Sequence, residues 1–315
     1  MDSFDESTLN APLLQELWRE FNRYKESLEN KRLSAHTRRA YVSRLNHFLV
    51  FLGTADADYD RVLKHPFTRD RAVADYRDYL RDELECSAAT INTTLSTIDH
   101  FYQFLGVDEP RVIREDLPKG APNALTGTEQ QELMLAIEGT RSTRDRALAL
   151  LFLRTGLRLG ECAALDVQDF ELSSPEGSVN IRSSRKNRAR LLALDAETTA
   201  SVRAWLTRRA AVFPRTTETA AFLSRLGRRI TTAGIDLVIR KFGQELGMNL
   251  SAEVLRQTCM MNLLVAGKDL DAVARISGHK RRDTTRRYQP AVIAICEEAP
   301  AAPGELAIID LQSEE

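Results

Sequence analysis

The sequence predicts a mainly α protein of two domains, with a small antiparallel β-sheet confined to the second. Three observations carry this. Apolar residues recur at helical spacing over nearly all of the first hundred positions. Residues 108–124 (DEPRVIREDLPKGAPNA) then show no periodicity and gather Pro110, Pro118, Gly120 and Pro122, which resist helix continuation and mark a linker. Beyond it, helical patterns resume around two short β-like runs. The 315 residues suffice for two domains, and 43% apolar with 28% charged residues is the balance of a chain able to bury a core. The expected layout is 1–107 helical domain, 108–124 linker, 125–290 second domain and 291–315 acidic tail.

Helices are expected at 11–29, 37–52, 68–85 and 87–106. In the second, Tyr41, Leu45, Phe48, Leu49 and Leu52 share one face, with Ser34 as N-cap and Gly53 as the closing glycine. In the fourth, Ile91, Leu95, Ile98, Phe101, Tyr102 and Leu105 align and Gly106 ends the run. No internal repeat is expected. The second domain should hold helices at 128–138, 143–156, 195–210, 231–246, 252–266, 269–276 and 283–289. Strands at 178–183 and 190–194 bracket a basic turn, Ser184–Ala189, and a further strand is placed at 219–224.

No run approaches the ~20 apolar residues that span a bilayer, and the acidic start MDSFDESTLN lacks the layout of a secretion signal, so a cytoplasmic location is expected. Cys86, Cys162, Cys259 and Cys296 stand far apart and the five histidines show no HxxxH spacing, which argues against a disulfide scaffold or a zinc site. No GxxxxGK[ST] loop is present to hold a nucleotide triphosphate. No metal or cofactor is expected.

The net charge of −1 is unevenly spread. Residues 290–315 carry six acids and no Lys or Arg, which leaves 44 basic against 39 acidic side chains in residues 1–289, a net +5. Arg182, Arg185, Lys186, Arg188 and Arg190 crowd one turn; Arg275, Lys280, Arg281, Arg282, Arg286 and Arg287 crowd another. A polyanion feels such local density within a Debye length of ~8–10 Å, whereas the plain alternative is a set of solvated faces.

Four places combine unusual residues with helix ends or turns. In Arg154–Glu161, Gly156 and Gly160 interrupt an apolar helix, at up to ~1 kcal/mol each, and turn Arg158 out of register with Glu161 near enough to brace it. The basic turn presents Lys186 near its tip. Glu253–Thr258 opens a helix and carries Arg256. Ser277-Gly278-His279 is followed nine residues after the histidine by Tyr288, which Arg286 and Arg287 flank. Cations beside a phenol of pKa near 10 favour the phenolate, its nucleophilic form. Singly, each place reads as ordinary surface chemistry. Together, two arginines can clamp a phosphodiester's non-bridging oxygens, a tyrosine can attack phosphorus and a lysine can protonate the leaving oxygen.

TGLRLGE (155–161), the basic hairpin, VLRQT (254–258) with downstream Gly267, and SGHKRRDTTRRY (277–288) resemble the tyrosine recombinase/phage integrase family in order and in the His279-to-Tyr288 spacing. SAHTRRAYVSRLNHFLVFLG (34–53) and SAATINTTLSTIDHFYQFLG (87–106) are similar to the family's helical, SAM-like core-binding domain, so the likeness spans roughly residues 12–290. It implies a two-domain clamp on double-stranded DNA. Tyr288 would form a 3′-phosphotyrosyl link, Arg158, Arg256 and His279 would hold the phosphate, and Lys186 would be the general acid. It also implies strand exchange through a Holliday junction, a tetramer on DNA, and no need for ATP or metal. The duplex-contacting set is expected to include Arg38, Arg39, Arg44, Arg182, Arg185, Arg188, Arg190, Lys280, Arg281 and Arg282.

Two positions depart from the family pattern. Glu253 stands where the family has histidine; a carboxylate ~4 Å from a phosphate is repelled by roughly 4 kcal/mol at an effective dielectric of ~20. It is therefore protonated, paired or turned away, or it faces Tyr288 as proton acceptor. The turn also places Arg185 where lysine is expected, and arginine is a poor proton donor, so Lys186 is taken with a one-residue shift. These departures keep two rivals open: a DNA-binding regulator on the same fold, and topoisomerase-like relaxation. The tail segment Glu305–Leu311 is either a disordered acidic end or an apolar segment that docks on a neighbouring protomer.

Overall fold

The computed structural model describes residues 12–54, 59, 61–117, 122–173, 175–182, 189–279 and 283–298. Arg185, Lys186, Arg188, Lys280, Arg281, Arg282 and the tail beyond Glu298 lie outside the described residues. The chain divides into two compact units, Met1–Lys119 and Gly120–Glu315. No described helix is long and apolar enough to cross a membrane.

The first unit is built from α1 (Pro12–Glu29), α2 (Ala35–Thr54), α3 (Pro66–Asp82) and α4 (Ala88–Phe104). Their apolar faces bury Phe21, Tyr24, Leu45, Phe48, Tyr76, Leu95, Phe101 and Tyr102 in one core. Pro66 starts α3, where its missing N–H has no partner to lose. That helix ends at Asp82, short of the expected 85, because Glu85 adopts a left-handed φ of 47°. Gly106, at φ 74°, closes α4 as expected. Gly53 does not close α2: it lies inside the helix, which runs on to Thr54. Residues 108–117 have no regular secondary structure, yet they hang on this unit. The backbone N–H of Arg111 donates to Asp70, and Glu115 and Asn92 exchange two hydrogen bonds of 2.9 and 2.7 Å.

The helices show a repeat that periodicity alone concealed. Residues 34–53 and 87–106 share Ser, Ala, Thr, Ser, His, Phe, Phe, Leu and Gly at the same offset of 53. Ser34 and Ser87 cap their helices identically, each accepting from the backbone N–H three residues on. The repeated histidines are tied crosswise: His47 Nδ1 bonds Tyr76 OH of α3 at 2.6 Å, and His100 Nδ1 bonds Tyr24 OH of α1 at 2.7 Å. The two repeated helices are thus latched alike, each through its histidine to a tyrosine of another helix.

The second unit runs α5 (Gly127–Gly139), α6 (Thr143–Thr155), α7 (Leu159–Ala164), β1 (Phe170–Glu171), β2 (Gly177–Ile181), β3 (Arg190–Leu194), α8 (Ala196–Val212), α9 (Thr232–Leu246), α10 (Ala252–Val265), α11 (Leu270–Ser277), α12 (Asp283–Arg286) and α13 (Gln289–Glu298). Every residue of α6 from Ala147 to Leu153 is buried, which makes it the central helix. The sheet is antiparallel in the order β1-β2-β3, with buried Val179 opposite buried Leu192.

Three expectations are corrected. Residues 219–224 form no strand, only single bridges at Ala220 and Leu223, because α8 takes their carbonyls: Trp205 donates to Ala221 and Arg209 to Ala220. Gly160 breaks no helix; it lies in α7, whose first turn Glu161 closes by accepting from the Arg158 N–H. The helix expected at 283–289 is two helices parted at Arg287–Tyr288, and α13 continues past 290 with Pro290 harmless in its first turn.

Candidate active site

The end of α6 starts the site. Gly156 takes φ 60°, and a Cβ there would come within 3.4 Å of Cys259 Sγ on α10. This left-handed turn releases Arg158 into an extended backbone, φ −77° and ψ 147°, at the head of α7. From α10, Arg256 donates to the carbonyls of Gly156 and Ser277, the latter at 2.7 Å. Arg158 donates to the Gly278 carbonyl at 2.6 Å. Gly278 ends α11 at φ 63°; a Cβ on it would lie 2.8 Å from an Arg190 nitrogen and 2.9 Å from an Arg158 nitrogen. Glycine is required there both for its conformation and because two guanidinium groups pass over it.

Glu161 organises these cations. It accepts from the Arg158 N–H at 3.0 Å and from Arg158 Nη1 at 3.1 Å, and it takes a two-pronged grip from Arg190 at 2.9 and 2.7 Å. Burial works to raise its carboxyl, but the hydrogen bonds from Arg190 and Arg158 more than offset this and hold it below the ordinary range. Arg256 is drawn down to about 10 by burial and by Arg158, and stays a cation at neutral pH.

His279 Nε2 lies 3.0 Å from Arg256 Nη2 and Nδ1 lies 2.9 Å from Thr285 Oγ1. Since a guanidinium has only N–H to offer, these partners assign Nε2 as acceptor and put the proton on Nδ1. Burial, then the charges of Arg256 and Arg158, lower its pKa to about 4, so the ring is neutral at pH 7. Thr285 was not singled out in sequence, where nothing sets it apart from its neighbour Thr284.

Tyr288 is fully buried, in a cluster with Cys259, Met260, Met261, Leu263 and Val273. Arg287 stacks 5.3 Å from its ring and donates to its hydroxyl at 3.4 Å. The expected phenolate is corrected: burial raises the hydroxyl's pKa by more than Arg287 lowers it, so it is held as a phenol.

Glu253 lies one turn before Arg256 on α10, exposed, and accepts from Gln257 Nε2 at 3.1 Å. Its charge works to raise both Tyr288 and Arg256. Arg190, expected to face a duplex, is instead 9% exposed and turned onto Glu161, because a buried carboxylate demands the fork. Arg182, half exposed, is engaged by Asp166 at 2.9 Å and Asp169 at 3.0 Å. On α2 of the first unit, Arg39 is exposed, and Arg38, 3.6 Å from Glu29, and Arg44 are partly buried. Among the described residues, no three His, Cys, Asp or Glu side chains gather to hold a metal ion.

Comparison with known proteins gives the family of the chain. Residues 123–292 match the model of the phage integrase family, and residues 21–107 match the phage integrase N-terminal SAM-like domain. The chain belongs to the phage integrase family. Membership makes it an enzyme of a DNA strand-transferring family, and its fold is that of the tyrosine recombinases. It is 30% identical over 282 residues to the tyrosine recombinase XerC of Roseiflexus castenholzii, covering 82% of this chain and 84% of that one. To the tyrosine recombinase XerA of Thermococcus kodakarensis it is 26% identical, covering 88% and 92%. Among solved structures, XerH site-specific recombinase bound to a palindromic difH substrate shares the fold with TM-score 0.64 at 18% identity, over 94% of this chain and 97% of that one. The Tn1549 transposon integrase in complex with transposon right end DNA does so with TM-score 0.66 at 13% identity, over 90% and 98%.

Proposed function

We propose that this chain is a site-specific recombinase that cuts and rejoins double-stranded DNA through a covalent bond between Tyr288 and a 3′-phosphate. The observation that carries the reading is the convergence of Arg158 and Arg256, from distant segments, on the adjoining carbonyls of Gly278 and Ser277, with His279 bonded to Arg256, in a cluster with more cations than anions. A phosphate oxygen is a stronger acceptor than those carbonyls, and two guanidinium groups suit its non-bridging oxygens. The relatives' names, and the DNA in the neighbouring structures, support the same partner.

In this mechanism the Tyr288 oxygen attacks phosphorus and the bond from phosphorus to the 5′-oxygen breaks. The phenolic proton leaves to a base, a role for which Glu253 is the candidate, since its charge acts on the Tyr288 hydroxyl. Lys186 protonates the departing 5′-oxygen. Arg158 and Arg256 neutralise the charge that grows on the phosphorane oxygens. His279, neutral, gives up the bond it accepts from Arg256 and donates from Nε2 to the phosphate once its tautomer reverses and Thr285 donates to Nδ1. Phosphodiester energy is kept in the phosphotyrosine, so resealing needs neither ATP nor a metal. Tyr288 must leave its apolar cluster for the attack. Paired cleavages in a tetramer would exchange strands through a Holliday junction, with the arginines of α2 on the duplex backbone.

The test is covalent trapping on a nicked-duplex library, followed by detergent denaturation. The wild type is expected to yield a protein–DNA adduct that Tyr288→Phe abolishes. Salt-sensitive binding without an adduct, unrescued by Glu253→His, would overturn the enzymatic reading in favour of a DNA-binding regulator. Relaxed plasmid without recombinant products would replace exchange by topoisomerase-like relaxation.

A further inference from the structure

We propose that Arg190 is a positioning residue of this site: it absorbs the charge of Glu161, leaving that of Arg158 for an anion, and pins the strand leaving the basic turn to the turn that carries His279. The inference deepens the phosphate-site reading above and rests on it.

All of the Arg190 guanidinium nitrogens are engaged inside the site. Nη1 and Nη2 grip Glu161, and Nε donates to the carbonyl of Ile276 at 2.8 Å, three residues before His279. One side chain at the start of β3 therefore joins three elements: its own strand, the first turn of α7 and the end of α11. Its side chain is 9% exposed and that of Glu161 is 7%, whereas Arg158 remains 30% exposed. The two arginines lie side by side over Gly278, and only the carboxylate between them makes that tolerable.

The charge balance explains the need. Arg158, Arg190 and Arg256 against Glu161, with His279 neutral, leave a net charge of +2 to meet a phosphate. Without Arg190 the net charge is +1, and the buried carboxylate has Arg158 as its remaining close cation. Arg158 then serves as an internal ion-pair partner instead of a phosphate ligand. A surface arginine aimed at the DNA backbone would show none of this.

The full chain is titrated with orthovanadate, a tetrahedral oxyanion, by calorimetry. Arg190→Met is expected to weaken binding at least tenfold, and the double variant Arg190→Met with Glu161→Gln to return to within about threefold of the wild type, since the charge that Arg190 balanced has gone as well. Wild-type affinity in Arg190→Met, or a double variant as weak as the single one, would overturn the proposal. Should Arg190→Met fail to fold, Arg190→Gln, which keeps a donor for the Glu161 carboxylate but removes the charge, is expected to show the same tenfold loss, and wild-type affinity there would overturn it. Should the wild type bind no orthovanadate, the phosphate-site reading fails, and Arg190 is judged on the imidazole NMR titration of His279. There Arg190→Met should raise the His279 midpoint and the double variant restore it; an unmoved midpoint in Arg190→Met sinks the positioning role.

Discussion

At the scale of single residues, the site is governed by how burial competes with charge. Arg287 sits against Tyr288, yet the phenol stays protonated, because desolvation of a fully buried oxygen outweighs one neighbouring guanidinium. In His279 burial and cations act in the same direction and hold the ring neutral. The pH consequence follows from the sign. The histidine pKa falls from 6.5 in the unfolded chain to about 4 in the fold, so between those values the unfolded chain binds more protons and stability rises with pH. That contribution is fully present above pH 6.5 and is lost as pH falls towards 4. Urea melts across this window should show the slope in the wild type and a shallower one in His279→Gln. An identical slope in both proteins would place the titrating group elsewhere. Glu161 follows the opposite pattern: two arginines overcome its burial, and breaking such a buried pair from one side costs about 3–5 kcal/mol.

At the scale of elements, the helical unit is held by its repeat. Tyr24 and Tyr76 occupy mirrored roles, each closing a hydrogen bond across the bundle to a histidine at the same place in the repeated segment. Tyr24→Phe and Tyr76→Phe should each lower unfolding free energy by about 0.5–1.5 kcal/mol, the net worth of one hydrogen bond. Chemical denaturation measures this, and the double variant should be close to additive because the two bonds share no atoms. A loss confined to one of the two would refute their equivalence. The bonds differ in one respect. His100 Nε2 also faces Lys31 at 3.1 Å, and burial with that cation lowers the His100 pKa.

At the scale of the whole molecule, α13 joins the nucleophile to the end of the chain. Its Ala291 and Val292 pack against the cluster that buries Tyr288, and its next residue, Ile293, is exposed. Val292 and Ile293 line, with Leu264, Lys268, Asp269, Leu270 and Gln289, a cavity of about 340 Å³. We propose that the apolar tail segment Glu305–Leu311 packs onto a neighbouring protomer. Truncation after Glu298, which spares α13, should then lower the oligomeric state on DNA in gel filtration. An unchanged oligomeric state would end the docking idea and leave the tail as a solubilising acidic end.

Much of this protein was legible one residue at a time. Helical periodicity located the main helices within a few residues, since each element buries one face and the spacing of that face is local. The candidate set Arg158, Arg256, His279 and Tyr288 could be named from sequence by the order and spacing of its motifs; Arg158 and His279 stand at helix ends and Tyr288 between two helices, whereas Arg256 is buried within α10. The short α7 was hidden by Gly160, and the strand expected at 219–224 dissolved because side chains of α8 reached its carbonyls first. The repeat is marked mainly by polar residues that helical periodicity does not weigh, Ser34/Ser87, Thr37/Thr90, Ser43/Ser96 and His47/His100, while its apolar identities Phe48/Phe101 and Leu52/Leu105 read simply as core positions. What the sequence determined by itself was the family of elements and the residue types available for phosphate chemistry. Only the tertiary structure decided their states. Burial, hydrogen-bond partners and net field arise from segments a hundred residues apart, and these turned Arg190 from a surface cation into the counter-charge of Glu161 and Tyr288 from a phenolate into a buried phenol.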